Sequence, residues 1–201
     1  MAKLKGPLFS LGATQQVGKT LVYFGWKGLN VVREYVIPSN PRTVPQTTQR
    51  GYMTTAVAAI HAAQAVAVIP MLPADVSAYA LWASVVKAAT TWFNQAVRNF
   101  IDQLVAGLGG IVYGNGVTTP GVGTATFAID DNTATVTAGD WVYGTSKTAL
   151  INTIPAVVVA TLINVTIPAL VAGVKYYAQF RPSAPAATVG AWSGIYHCTP
   201  T

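Results

Sequence analysis

Apolar and polar positions follow three different rhythms along these 201 residues. Near the start, "TLVYFGW" and "NVVREYVIP" are β-branched and aromatic runs separated by the Gly-containing turn "KGLN", which predicts a β-hairpin over residues 19–37. The prolines of "PSNPRTVP" forbid helix and favour extended backbone, so residues 38–45 read as a linker. Helical spacing then takes over. Met53, Val57, Ile60, Gln64 and Val68 recur at that spacing through a helix over 46–69, which Pro70 and Pro73 stop. A second helix over 75–108 takes Asp75 as its N-cap and carries Tyr79, Trp82, Val86, Trp92, Phe93, Val97, Phe100, Ile101 and Leu104. Thr90 and Thr91 mark a break in it, and Gly107, Gly109 and Gly110 end it, so the pair forms a helical hairpin.

Beyond the Gly-rich join from Leu108 to Gly123 the rhythm becomes period two. "GTATFAID", "TATVTAG", "WVYGTSK", "INTIPAVVVATLINVTIP", "KYYAQFRPSA" and "WSGIYHCTP" make six or seven short strands with turn residues between them, the texture of a small antiparallel sandwich. The expected fold class is therefore α+β. An N-terminal domain over 1–110 holds the β-hairpin and helical hairpin, and a C-terminal all-β sandwich occupies 118–201.

Composition adds a constraint on the surface. Charged residues are 9% of the chain and hydrophobic ones 52%, with a mean hydropathy of +0.43, against a charged fraction of about 25% in ordinary soluble domains. A surface so poor in charge is prone to association, which implies that neighbouring subunits cover much of it. A homo-oligomer is expected, and no membrane partner. Ala56 to Leu72 is shorter than a bilayer requires, and Ile154 to Gly173 is broken by Pro155, Asn164, Thr166 and Pro168. "MAKLKGPLF" lacks the apolar core of a signal peptide, so synthesis in a host cytoplasm is expected.

Charge is unevenly distributed. Lys3, Lys5, Lys19, Lys27, Arg33, Arg42 and Arg50 face one acid, Glu34, in the first quarter, whereas five basic and five acidic residues follow. With Trp26, these cations are the expected assembly interface. They are spaced rather than clustered, and no zinc-finger, helix-turn-helix or RNP pattern accompanies them, so nucleic acid is not an expected partner.

Catalytic and metal chemistry find little support in the pattern. "GATQQVGKT", Gly12 to Thr20, approaches a phosphate-binding P-loop, but five residues separate the glycines where four are needed, and a strand follows where a helix must open. "TFAIDDNTATV" places Asp130, Asp131 and Asn132 at a polar tip between strands, not at a magnesium site. His61 has no Cys, Asp or Glu at ligand spacing and reads as a packed or rim histidine. The stripe Tyr79, Trp82, Trp92, Phe93, Phe100 reads as core. Cys198 is the one cysteine, and on a strand its neighbour His197 points to the opposite face, so no metal pair forms. A non-enzymatic protein with no cofactor is expected.

Two resemblances sharpen the expectation. Residues 118–201 resemble a fibronectin type III module: "ALVAGVKYYAQFRP" matches the run before that family's penultimate strands, with Leu170 and Tyr176 in the matching roles, and "WSGIYHCTP" resembles its final strand. The resemblance implies an immunoglobulin/fibronectin III-like sandwich with Trp141 as its buried tryptophan. The N-terminal half is similar to small proteins encoded among bacteriophage structural genes, in which a "G-x-x-G" turn, a "W-K-G" hairpin, "V-R" and "N-P-x-T-x-x-Q" recur. Gly18, Trp26, Lys27, Gly28, Val32, Arg33, Asn40, Pro41, Thr43, Gln46 and Arg50 match them. This resemblance implies a virion component with other virion proteins, capsid or tail, as partners. The expected function is a capsid decoration or head-associated protein, anchored by its basic N-terminal unit and projecting the sandwich. The alternatives are a tail component (tube, baseplate or fibre adaptor) or a receptor- or carbohydrate-binding module using Trp192 and Tyr196.

Overall fold

The computed structural model describes residues 3–4, 13–37, 39–40, 42–86, 91–133 and 135–201. The chain divides into two compact units, Met1–Thr43 and Val44–Thr201. It mixes three helices, among the described residues, with antiparallel sheets, none of them closed. The expected boundary at 110–118 is corrected by this division, because the helices share a unit with the C-terminal strands.

In the first unit β1 (Lys3–Leu4), β2 (Ala13–Val17), β3 (Leu21–Trp26) and β4 (Leu29–Glu34) form one antiparallel sheet in sequence order. The predicted hairpin is β3 and β4. Its two-residue turn, Lys27 and Gly28, has φ of +48° and +81°, as a type I′ turn demands at both central positions. The segment resembling a P-loop is β2 and a turn at Gly18–Thr20 leading straight into β3. Gly12 lies outside the described residues.

In the second unit α1 (Val44–Ala65), α2 (Pro73–Val86) and α3 (Trp92–Val105) precede the strands. The single helix expected over 75–108 is two helices, with residues 87–90 of that range outside the described residues. Thr91 caps α3 by accepting from the Asn94 amide at 3.2 Å. Gly107, at φ +75°, closes α3: the Leu108 amide donates to the Gln103 carbonyl and the Gly107 amide to Leu104, the paired bonds of a Schellman motif. Asp75 is not the N-cap of α2. It sits in the first turn and reaches back to accept from the Leu72 amide at 2.7 Å.

Eight strands complete this unit: β5 (Tyr113–Gly121), β6 (Thr124–Asp131), β7 (Ala138–Gly144), β8 (Asn152–Pro155), β9 (Val157–Val159), β10 (Leu162–Ile167), β11 (Tyr176–Ala184) and β12 (Tyr196–Cys198). They pair as two sheets ordered β5-β6-β10-β9 and β12-β11-β7-β8. Phe127, Ile129 and Ile163 of the first sheet share a buried core with Trp141, Phe180 and Tyr196 of the second. Trp141 is fully buried there, its ring 5.7 Å from Phe127 and 5.8 Å from Phe180. At the start of β11 the Tyr176 hydroxyl accepts from the Val171 amide, five residues upstream, at 3.2 Å.

The helices do not form a separate hairpin domain because their apolar stripe needs the sheets to close it. Ile60, Tyr79, Trp82, Val97 and Phe100 pack in one cluster with Val112 and Ile195. The Ile195 amide donates to the Ala78 carbonyl, and a Cβ on Gly194 would lie 2.7 Å from the Ala78 Cβ and 2.9 Å from the Tyr79 nitrogen. Only glycine lets the chain pass α2 so closely. The Gly-rich join is likewise no linker, since Ile111, Val112 and Tyr113 are buried and β5 begins within it.

Candidate functional site

The N-terminal sheet gathers some of the expected interface residues and not others. Lys19 is exposed at the turn before β3 and Lys27 at the turn after it, so six strand residues, about 20 Å at the rise of a strand, separate them. The β3–β4 register sets Val22 opposite Arg33, Phe24 opposite Val31 and Trp26 opposite Leu29, so these six share one face. On it the Arg33 guanidinium stands 5.4 Å from the Phe24 ring centroid. The other face carries Leu21, Tyr23 and Val32 with Glu34. Lys3 lies on the edge strand β1, and Lys5 falls outside the described residues. Arg42 is exposed in the segment after β4, and Arg50 is in α1 of the second unit, so the sheet does not include them.

The apolar content of this sheet is largely uncovered. Trp26 is 60% exposed and Leu29, its cross-strand partner, 69%. Among the described residues of this unit Tyr23 is the one buried hydrophobic side chain. A sheet of this size stabilises itself only with an apolar face covered. With Lys3, Lys5, Lys19, Lys27, Arg33 and Arg42 against Glu34, the unit carries a net charge of +5. Its chemistry suits an apolar surface rimmed by acids, and self-association would set like charge against like.

The second unit places the other candidates. His61 is exposed, its Nδ1 3.2 Å from Gln64 Oε1 and its ring 5.7 Å from Phe93, a rim position. His197 is exposed and Cys198 buried, on opposite sides of β12 as alternation requires. Burial, then Lys175, pushes the His197 imidazole down, and burial pushes the Cys198 thiol up. Of the two aromatics expected to meet a receptor, Trp192 is 37% exposed, but Tyr196 is buried with its hydroxyl on Asp75. Asp130 and Asp131 are not an exposed tip. Asp131 is buried and accepts from the amides of Thr133, Thr135 and Val136 and from both threonine hydroxyls. Burial alone would raise its carboxyl, yet these bonds hold it below the ordinary value.

Asp75 is the polar group that sequence reasoning misassigned. Fully buried, its carboxylate accepts from the Leu72 amide, from the Gly116 amide at 3.1 Å and from the Tyr196 hydroxyl at 2.5 Å. Gly116 lies in an irregularity of β5, between the paired Gly114 and Val117. The carboxylate thus satisfies an amide that the strand ladder leaves over. Burial pushes this carboxyl up, against the three hydrogen bonds that pull it down, and Asp130 pushes it further. It joins helix to sheet, which is an architectural role.

Among the described residues no group of three or more His, Cys, Asp or Glu is placed to hold a metal ion, and no helix is long and apolar enough to cross a membrane. Comparison with protein-family models, curated proteins and solved structures gives no match to this chain.

Proposed function

We propose that this chain is a structural subunit of a bacteriophage particle, a head-associated decoration protein held by its basic N-terminal sheet. The observation that carries the reading is that sheet: a separate unit of net charge +5 with Trp26 and Leu29 uncovered. Such a unit gains its stability by docking on a neighbour, because burying apolar area is the main favourable term open to it. The low charge content supports assembly as well, and the virion assignment rests on the resemblance of the N-terminal motifs to phage structural-gene products.

In this reading the second unit projects outward as an immunoglobulin/fibronectin III-like sandwich. Named A to G with C′, its strands give the sheets A-B-E-D and G-F-C-C′, the first being the order of an immunoglobulin constant-type sheet and the second its C-F-G sheet with one strand added. The tyrosine at the start of the sixth main strand, bonded back to Val171, supports the same assignment.

The test is particle binding by the full chain and by a chain beginning at Val44. Binding by the full chain alone is the expected result. Equal binding by both would remove the anchoring role of the N-terminal sheet.

A further inference from the structure

We infer that the outer face of the sheet β5-β6-β10-β9 docks on the same face of a second copy of this chain, with β5 of each copy over β9 of the other. The inference does not rest on the virion reading and holds or fails without it.

Alternation fixes what this face shows. Phe127, Ile129, Ile163 and Val165 turn into the core, so their strand neighbours turn out. The register then sets Val117, Ala128, Asn164 and Val157 side by side across all four strands. On one side of this row Leu162 stands beside Val159, and on the other Thr119, Thr126 and Thr166 form a second row. One half of the face is therefore largely aliphatic and the other threonine. Val157 and Val159 are 58% and 61% exposed, and Val117 and Leu162 are exposed with them.

Accessible charge is missing from this face. Among the described residues of these strands Asp130, opposite Leu162, is the one charged group on the outer side, and it is buried, its carboxylate accepting from the Asn115 side-chain amide at 2.7 Å. The other sheet differs: its register puts Arg181 opposite Asp140, and Tyr177 opposite the exposed His197. A sheet face left to water ordinarily turns polar and charged side chains outward, and edge strands are guarded by charge or proline. The edge strand β9 is three valines and carries neither.

Charge and area select the occupant. The second unit holds six basic and five acidic residues, a net charge of +1, so two copies meet through it with little repulsion. A charged partner surface would lose its hydration here and find no counter-charge. Four strands about 4.8 Å apart and about 20 Å long give a face of roughly 400 Å². Two such faces bury on the order of 800 Å², the size of a weak and reversible contact. A two-fold axis along the strands keeps like with like. Thr126 then meets Thr166 of the other copy, Ala128 meets Asn164, and Val117 meets Val157. An axis across the strands would instead set the valines over threonine hydroxyls.

Sedimentation equilibrium of the full chain across roughly 5–500 µM tests the contact at the strength its area implies. The weight-average mass is expected to rise from one chain of 21.0 kDa toward two. Val157→Lys and Thr166→Lys, both at exposed positions, should each weaken association at least tenfold, whereas Ser183→Lys, exposed on β11 of the other sheet, should leave it unchanged. Mixing Val117→Glu chains with Val157→Lys chains should restore pairing that neither forms alone. A chain that stays single at the highest concentration would overturn the inference and leave the face to a different partner. Association unmoved by both lysines, or weakened equally by Ser183→Lys, would overturn it by placing the contact elsewhere. A mass that climbs past two chains would overturn the closed pair, and no recovery in the mixture would overturn the placing of β5 over β9.

Discussion

Replacing Asp75 by alanine is expected to cost about 3 kcal/mol of stability, since three buried donors lose their acceptor at about 1–3 kcal/mol each. The orphaned groups are the amides of Leu72 and Gly116 and the hydroxyl of Tyr196. Water entering the vacated space and relief from burying a charged group offset part of the loss. The carboxyl is raised above its ordinary 3.8, burial being the largest cause. The unfolded chain therefore gives up this proton first: the contribution of Asp75 to stability is fully present below 3.8 and declines as pH rises through the folded value. Urea unfolding of wild type and Asp75→Ala at several pH values reads both effects. The variant should lose the declining limb as well as the stability. A loss under about 1 kcal/mol would refute the argument. Strict additivity of Asp75→Ala with Tyr196→Phe would refute it too, because groups in direct contact should couple.

The other carboxylate behaves in the opposite sense. Asp131 is held below the ordinary 3.8 by hydrogen bonds that outweigh its burial, so the ionisation-dependent part of its stabilisation is present above 3.8 and lost as pH falls through the folded value; Asp131→Ala should lower the unfolding temperature at pH 7, and by less in strong acid. Gly116→Ala would set a Cβ 2.3 Å from Asp75 Oδ1, and urea unfolding should show a loss of about 1–3 kcal/mol. Trp26→Ser with Leu29→Ser should leave the unfolding of the second unit unchanged while weakening particle binding more than tenfold, from up to about 5 kcal/mol of apolar burial removed. Because Lys19 precedes a strand, an equilibrium ATP-binding assay should give no saturation, and saturable binding abolished by Lys19→Ala would revive the nucleotide reading.

The elements were legible where periodicity is strong, and their association was not. Alternation and the Lys27-Gly28 turn marked the β3–β4 hairpin, but β1 and the polar run of β2 gave no comparable signal. The helical stripe marked the three helices as two, since α2 ends only five positions short of the start of α3. The domain boundary was misplaced because composition does not separate glycines that loosen a chain from glycines that admit close contact. Gly110, Gly114 and Gly116 sit against Phe100, the Pro70 backbone and Asp75. For the same reason Asp75 read as a local cap, while its partners Gly116 and Tyr196 are 41 and 121 residues away.

Electron microscopy of virions from the source, labelled with an antibody against residues 118–201, tests the central claim most directly. Label distributed over the head is the predicted result, and virions that carry no label would contradict the assignment to the particle.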